Sequence, residues 1–488
     1  MKKLTDILKN TPVREVCGDT AAAIGGLVYD SRAVKPGDCF FAVPGTQSDG
    51  HDYIPMAVEK GAAAIVCERM PADAAEGVAY VLVGDSAGAM ADMAAAFYDY
   101  PSRELKLVGI TGTNGKTTTA TLLYDLVRAM GYKAGLISTV VYKIDGREVE
   151  ATHTTPDSIR LNAMMREMAD AGCAYCFMEC SSHAIVQERT RGLDFAGGIF
   201  SNITHDHLDY HKTFAEYIRA KKLFFDGLPK GAFALTNADD RNGRVMVQNT
   251  AAAVSAYSLR AMADFRCKIV EMHLDGMLLR IDGQELWVGL LGRFNAYNLL
   301  AVYGAAALLG LDRGEVLRVL SMLHAVSGRF EKIRAANGTT AIVDYAHTPD
   351  ALENVIQTIE EIRTPGQQLI VVCGCGGDRD RTKRPIMGEI AARLADVLVV
   401  TSDNPRTEEP MAIIREILAG IPQTEKPVYV EENRRRAIRM TLRFAQKDDM
   451  IVLAGKGHET YQVLGTEKIH FDEREEVAAC LQEEDHEQ

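Results

Sequence analysis

Residues 108–119 run Val108-Gly109-Ile110-Thr111-Gly112-Thr113-Asn114-Gly115-Lys116-Thr117-Thr118-Thr119, an apolar strand-like approach, a glycine-rich turn and a helix-compatible continuation. That order suits a cradle for a nucleoside triphosphate. Backbone N–H groups of such a turn come close to phosphate oxygens, Lys116 can neutralise the β- and γ-phosphates, and the Thr117 hydroxyl can ligate Mg2+. The general phosphate-loop spacing is not met, because Ile110 stands where that pattern has its first glycine. A chance turn rich in Gly and Thr is the alternative; the sequence of strand, turn, Lys-Thr and helix favours the cradle.

Other reactive groups follow predicted strands, at the carboxyl edge where open parallel sheets bind ligands. Glu179 ends the apolar run from Tyr175 to Met178 and could ligate a divalent cation, or be an ordinary loop carboxylate. Ser201 to His211 crowds Asn202, His205, Asp206, His207, Asp209 and His211 behind one strand, as a metal or phosphate site would, or a polar surface loop. Tyr217 to Phe224 reads as a basic amphipathic helix with a solvated lysine pair, Lys221 and Lys222. Gly292 to Asn298 reads as a loop entering a helix from Leu299 to Leu309, with Asn295 and Asn298 available as caps. Cys173, Cys176 and Cys180 superficially imitate a metal knuckle, with Cys373 and Cys375 a further close pair. Their surroundings are apolar and no second pair stands at zinc-finger distance, so they read as reduced core residues.

The elements that must position these groups are those of an α/β chain. A length of 488 residues suggests about three domains, and 47% hydrophobic with 25% charged residues excludes a disordered or membrane-embedded chain. The net charge of -13 argues against nucleic acid as a partner, while local basic clusters can still bind small anions. No apolar stretch reaches membrane-spanning length, and the N-terminus lacks the apolar core of a secretion signal, so a cytoplasmic location is expected. Short apolar runs such as Cys39 to Val43 predict strands in the first hundred residues. An alanine-rich helix from Ala89 to Tyr100 should stop before Pro101. Strands from Leu105 to Ile110, Ala134 to Ile137, Tyr175 to Met178 and Gly198 to Ile203 alternate with helices and predict a parallel sheet. From Arg329 the pattern repeats, with strands from Thr340 to Val343, Gln368 to Cys373, Val397 to Thr401 and Met450 to Leu453, and a helix from Asp350 to Arg363. The expected architecture is α/β with three domains, 1–101, 102–328 and 329–488: a central phosphate-loop ATPase-type parallel sheet between an N-terminal α/β domain and a C-terminal Rossmann-like one.

In order, and over nearly the whole chain, the motifs resemble those of the Mur ligases, ATP-dependent amide-bond-forming enzymes of peptidoglycan precursor synthesis. They are Thr111 to Thr117, Glu179, Asn202 to His211, Ala220-Lys221, Gly292 to Asn298, Gly328-Arg329-Phe330-Glu331 and Asp344-Tyr345-Ala346-His347-Thr348-Pro349. In that family the loop is Gly-Thr-Asn-Gly-Lys-Thr/Ser, so the shifted spacing at Ile110 supports the resemblance. The resemblance implies that ATP is held by Gly112, Thr113, Asn114, Gly115, Lys116, Thr117 and Thr118. It sets Asn295 and Asn298 near the base, Asp344 near the ribose, and Arg329 and His347 at the domain junction. It makes Thr117, Glu179, His207 and a carbamylated Lys221 ligands of Mg2+, and Lys116, Glu179, His207 and Lys221 the catalytic set. Ser31, Thr46, Gln47 and Ser48 would hold the UDP end, with Thr154, Thr155, Ser181, Gln187 and Arg189 along the muramoyl-dipeptide path. His153 stands where the family often has asparagine.

Asp403-Asn404-Pro405-Arg406 resembles the motif of the branch that adds meso-diaminopimelate as third residue of the stem peptide, with Arg379, Gly455 and Glu459 as further contacts. The chemistry is consistent: a guanidinium fork suits the second carboxylate that distinguishes diaminopimelate from lysine, and Glu459 would hold an ammonium. The implied reaction activates the D-glutamate γ-carboxylate of UDP-N-acetylmuramoyl-L-alanyl-D-glutamate with ATP as an acyl phosphate. The amine of meso-diaminopimelate then attacks, leaving ADP and phosphate. The expected partners are these small molecules alone, with the chain a monomer. Another amino-acid-adding ligase of the family, or a folylpolyglutamate synthase relative, would share the central motifs but not Asp403 to Arg406. A scaffold without turnover would not be expected to keep Lys116, Glu179, His207 and Lys221 together.

Overall fold

Lys106–Thr111 is buried along its length after the first residue, as the middle strand of a sheet covered on both faces must be. The computed structural model describes residues 1–45, 48–204, 206, 208–334 and 338–487. His207, His205, Thr46 and Gln47 lie outside the described residues.

Around Lys106–Thr111 an 11-stranded sheet has the order Arg147–Glu150, Val141–Ile144, Ala134–Ile137, Tyr175–Glu179, Lys106–Thr111, Gly197–Phe200, Phe233–Asn237, Ala253–Ser258, Phe265–His273, Gly276–Ile281, Gln284–Val288. Its centre is parallel, and antiparallel strands extend both edges. Val108 and Ile110 pack on one face with the helices Lys116–Ala129 and Arg293–Leu308, whereas Leu107 packs on the other with Ser158–Asp170 and Phe214–Asp226. Two glycines let the last helix lie close. A Cβ on Gly109 would stand 2.5 Å from Phe224 Cζ, and one on Gly198 2.7 Å from Phe224 Cε1. That approach carries Lys221 to the phosphate turn.

The first sheet has five strands in the order Val13–Cys17, Ala79–Val83, Ala64–Cys67, Asp38–Phe41, Gly26–Val28, all parallel except the first. The alanine-rich helix is Ser86–Phe97, begun by the Asp85 carboxylate accepting the Gly88 N–H. It ends before Pro101 because Asp99 and Tyr100 turn into left-handed backbone, at φ 61° and 52°. The third sheet runs Glu331–Arg334, Thr340–Asp344, Met450–Ala454, Leu369–Cys373, Val397–Val400, Val428–Val430, parallel after its first pair. Helices Pro349–Ile362, Lys383–Leu394 and Pro410–Leu418 cover one face and Arg434–Phe444 the other.

Two local expectations are corrected. The strand from Gly198 ends at Phe200, because Ser201 and Asn202 turn away to bind the phosphate loop. The helix expected from Leu299 starts at Arg293, so Asn295 and Asn298 lie in its first two turns; Gly292, at φ 94°, opens it without a side-chain cap.

Candidate active site

Gly112 and Gly115, at φ 148° and 86°, turn the chain from the central strand into Lys116–Ala129. A Cβ on either would collide, 2.0 Å from Ser201 Oγ or 2.4 Å from Asn298 Oδ1. The turn is pinned from the neighbouring strand. Thr113 N donates to the Asn202 carbonyl at 2.8 Å, Asn114 N to Asn202 Oδ1 at 2.9 Å, and Ser201 Oγ to the Asn114 carbonyl at 2.6 Å. With the first N–H groups of the helix free of helical partners, the turn is an anion cradle. Lys116 Nζ donates to the carbonyls of Gly112 and Thr113 at 2.9 and 2.8 Å, and Lys221 Nζ reaches the same Gly112 carbonyl at 2.7 Å. Lys221 is therefore no solvated lysine but 1% exposed, its ammonium 4.6 Å from the Tyr217 ring. Burial lowers the Lys116 amine; burial and then Lys116 lower that of Lys221 well below its usual range.

Glu179, 1% exposed, accepts from Thr117 Oγ1 at 2.8 Å, Thr139 N at 2.7 Å and Thr139 Oγ1 at 3.2 Å. Thr139 went unnoticed in the sequence because it follows a strand with no chemical motif around it. The Thr117 hydroxyl and the carboxylates of Glu179 and Asp206 all line one cavity, an all-oxygen set that fits the hard cation Mg2+. No group of three His, Cys, Asp or Glu side chains converges as a preformed metal cage among the described residues. His211, at the far end of the imidazole-rich segment, is buried with Nε2 2.9 Å from Ser182 Oγ.

The cavity, about 470 Å³, lies between the second and third sheets. On one side are Thr113 to Thr118, Glu179, Lys221 and Asn298; on the other are Arg329, Asp344, Tyr345, His347 and Asp350. Arg329 donates to Thr117 Oγ1 at 3.2 Å and stacks on Tyr345 at 4.4 Å. Asn114 Nδ2 donates to Asp350 Oδ2 at 2.7 Å, a second bridge between the sheets. His347 Nδ1 is 2.8 Å from the Tyr345 carbonyl, and burial pushes the imidazole down to about 4. Asn298 adjoins the phosphate turn, whereas Asn295 does not line the cavity and donates to the Leu291 carbonyl at 2.7 Å. Arg293, Phe294 and Tyr297 from the same helix do line it, with Tyr297 donating to Asp239 Oδ2 at 2.8 Å.

Next to Glu179 the structure gathers most of the residues expected along the muramoyl-dipeptide path. Thr139 Oγ1 and Thr154 Oγ1 lie 3.0 Å apart, Thr155 Oγ1 donates to the Glu179 carbonyl at 2.7 Å, and Ser181 N donates to Thr155 Oγ1 at 3.2 Å. Arg189 donates to the Thr155 carbonyl at 2.7 Å and to Gln187 Oε1 at 2.6 Å. Ser31 is buried in the turn Ser31–Ala33 of the first sheet, while Ser48 is exposed.

A second cluster sits at the carboxyl edge of the third sheet. Asp403 and Asn404 are buried around Lys456, whose Nζ lies 2.9 Å from Glu459 Oε2, 3.1 Å from Asn404 Oδ1 and 3.4 Å from Asp403 Oδ1. Burial opposes ionisation of Asp403, but Lys456 and Arg434 outweigh it and hold the carboxyl below its usual range. Burial and the Asp403 charge raise Glu459. Gly455, at φ 121°, brings the backbone past Asp403, to which a Cβ would stand at 3.1 Å. Pro405 is followed by Arg406 in left-handed backbone, φ 53°, with its guanidinium on the Gly377 carbonyl at 2.7 Å; Arg379 is exposed. Lys456 was overlooked because a lysine reads as solvated unless its burial is known.

Three family patterns match the chain in order. "Mur ligase family, catalytic domain" covers residues 23–98, "Mur ligase middle domain" 110–306 and "Mur ligase, glutamate ligase domain" 328–457. The chain belongs to the Mur ligase family. Among relatives, proteins named UDP-N-acetylmuramoyl-L-alanyl-D-glutamate--2,6-diaminopimelate ligase from Phocaeicola vulgatus and Bacteroides fragilis are each 53% identical over 474 residues, covering 97% of this chain and 98% of theirs. A solved structure of a ligase with that name is 30% identical, with a TM-score of 0.70 over the full length of both chains.

In this Mur ligase Cys173, Cys176 and Cys180 are buried free thiols, and Cys176 and Cys180 are raised far above the ordinary thiol range by burial. Asp344, whose Oδ2 accepts the Phe330 N–H at 2.7 Å, is pushed up to about 6 by burial, against the pull of Arg329. Its folded form thus holds the proton more tightly than the unfolded chain, with its ordinary carboxyl near about 3.9. Stability from this group is complete below that value and declines as pH rises through about 6. Asp344→Asn keeps the acceptor and should remove the decline, raising stability at neutral pH by on the order of 3 kcal/mol. Urea unfolding of both proteins across that window measures it; parallel stability curves would refute the assignment.

Proposed function

We propose that this Mur ligase joins meso-diaminopimelate to the D-glutamate γ-carboxylate of UDP-N-acetylmuramoyl-L-alanyl-D-glutamate at the expense of ATP, in cytoplasmic synthesis of peptidoglycan precursor. The observation that carries the reading is the single cavity where the phosphate turn, Glu179 and Lys221 meet Arg329 and His347 across the two sheets. The identity of more than half to ligases of that name supports the substrate. We draw the domains at 1–101 for the UDP end, 102–328 for ATP and catalysis, and 329–488 for the amino acid.

In this reading ATP lies along the cavity with its phosphates on the N–H groups of Gly112 to Thr118, and Lys116 exchanges the loop carbonyls for phosphate oxygens. A carboxylate oxygen of D-glutamate attacks the γ-phosphorus; the bond to the bridging oxygen breaks and ADP leaves. The amine of diaminopimelate then adds to the acyl carbon, loses a proton, and expels phosphate. Both partners of the first step are anions, so Lys116 and Arg329 lower the barrier by holding positive charge where the anions meet. Mg2+ held by Thr117, and a second held by Glu179 and His207 with a carbamylated Lys221, would supply further screening when bound. The Lys221 amine suits carbamylation because a neutral nitrogen is what adds to CO2: an N–C bond forms, the nitrogen gives up one proton, and a neutral amine beside Lys116 becomes an anion. At the amino-acid end Arg379 and Arg406 would grip the distal carboxylate. The substrate ammonium would compete with Lys456 for Glu459.

Incubation with ATP, Mg2+ and the UDP-dipeptide, offering meso-diaminopimelate or L-lysine separately, should give a diaminopimelate adduct by mass and one phosphate per adduct. A lysine adduct would overturn the specificity, and no adduct with either would overturn the function. Lys221→Ala should lose about 10²-fold or more in kcat and recover part of it with a short-chain carboxylate; an undiminished rate would rule out the carbamate. Arg406→Ala should lower the kcat/KM preference for diaminopimelate over lysine by about 10²-fold, and an unchanged ratio would mean selectivity lies elsewhere.

A further inference from the structure

Arg384 has no exposed surface, yet it is the second residue of the helix Lys383–Leu394, where the helix dipole disfavours a cation. Burying a guanidinium there is costly unless its partners compensate. Nη1 donates to Glu408 Oε2 at 2.9 Å and Glu416 Oε2 at 2.8 Å, and Nη2 to Glu408 Oε1 at 2.8 Å and the Gly376 carbonyl at 3.2 Å. Its Nε is buried without a hydrogen-bond partner, so the group is not optimised for stability alone.

The partners explain its position. Glu408 Oε1 also accepts the Asp378 N–H at 2.6 Å, so one ion pair clamps the loop after Leu369–Cys373 to the loop after Val397–Val400. The same two loops meet again where Gly377 N donates to the Asn404 carbonyl at 2.9 Å and Thr407 Oγ1 to Asp378 Oδ1 at 2.7 Å. Arg379 stands on the first loop and Arg406 on the second. The guanidinium of Arg406 lies against the first loop, on the Gly377 carbonyl at 2.7 Å, and a Cβ on Gly376 would be 2.8 Å from its Nη1. The direction of Arg406 therefore depends on where the clamp holds residues 376 and 377.

We propose that the Arg384–Glu408 ion pair is the positioning element that sets the spacing of Arg379 and Arg406, and so selects an amino acid bearing a second carboxylate. This rests on the reading of those two arginines as the grip on diaminopimelate. Neither Arg384 nor Glu408 need touch the substrate. Glu416, which also pairs with Arg384 but belongs to the helix Pro410–Leu418 rather than to either loop, separates this role from simple charge balance.

The test compares the wild type, Glu408→Gln and Glu416→Gln with saturating ATP and UDP-dipeptide, varying meso-diaminopimelate or L-lysine, beside thermal unfolding of each protein. Glu408→Gln keeps an acceptor for Asp378 but loses the charge. Its KM for diaminopimelate should rise about tenfold, with kcat and the KM for ATP within about twofold and the preference over lysine reduced. Glu416→Gln should lower the unfolding temperature while keeping that preference. Glu408→Asp, which restores the charge with a shorter reach, should lie between wild type and Glu408→Gln, and carries the test if Glu408→Gln does not fold. An unchanged KM for diaminopimelate in Glu408→Gln, an equal rise in every KM, or the same loss of preference in Glu416→Gln would overturn the proposal. A wild type that forms no diaminopimelate adduct would instead overturn the parent reading, and this one with it.

Discussion

One carbonyl oxygen, that of Gly112, accepts hydrogen bonds from two buried lysine amines, Lys116 and Lys221. Positive charge on both would repel strongly in so poorly solvated a site: burial lowers both amines and Lys116 lowers Lys221 further, while the carboxylates of Glu179 and Asp206 act the other way at Lys116. The rest of the middle domain serves this arrangement. Glycines 109 and 198 let the Lys221 helix lie on the sheet, glycines 112 and 115 let the turn close against Ser201 and Asn298, and the central strand delivers the turn to the sheet edge. A phosphate group draws Lys116 off the shared oxygen, and loss of charge on Lys221 relieves what remains. Two buried amines that share one oxygen make a site that favours anionic ligands.

The third sheet reports on the same site through few contacts. Arg329 touches Thr117 and stacks on Tyr345, which also neighbours the His458 ring at 4.9 Å; two residues before His458 stands Lys456, the centre of the cluster with Asp403, Asn404 and Glu459. Asp350 holds Asn114 from the same side. Thr117, Arg329, Tyr345 and His458 thus form one contiguous run of side chains from the phosphate turn to the segment that carries Lys456. That suits a reaction whose two halves must share an intermediate kept from water.

Much of this was legible in the sequence because it was local. Strands from Ala134 to Ile137 and Tyr175 to Met178 are continuous apolar runs, as a parallel sheet demands, and the phosphate turn announces itself through strand, glycines and Lys-Thr in order. The antiparallel strands Phe265–His273, Gly276–Ile281 and Gln284–Val288 were not anticipated, because Phe265–His273 mixes Arg, Lys, Glu and His with its apolar positions on a half-exposed edge. The start of the helix at Arg293 was missed for want of a capping side chain. Lys221, Arg384 and Lys456 share a deeper difficulty. Each reads as a surface cation in its own segment, and its burial is created by elements far along the chain, the Gly112 turn for Lys221, Glu408 for Arg384, and Asp403 with Asn404 for Lys456.

The burial that shapes the charged groups also silences the sulfur. Cys180 directly follows Glu179, yet its thiol, like that of Cys176, is raised so far that almost no thiolate exists at neutral pH, and the thiolate is the reactive form. Oxidants and soft electrophiles therefore find no ready nucleophile in these two side chains. Neither thiol lines the cavity between the second and third sheets, whereas the amines of Lys116 and Lys221, lowered in basicity by burial, do.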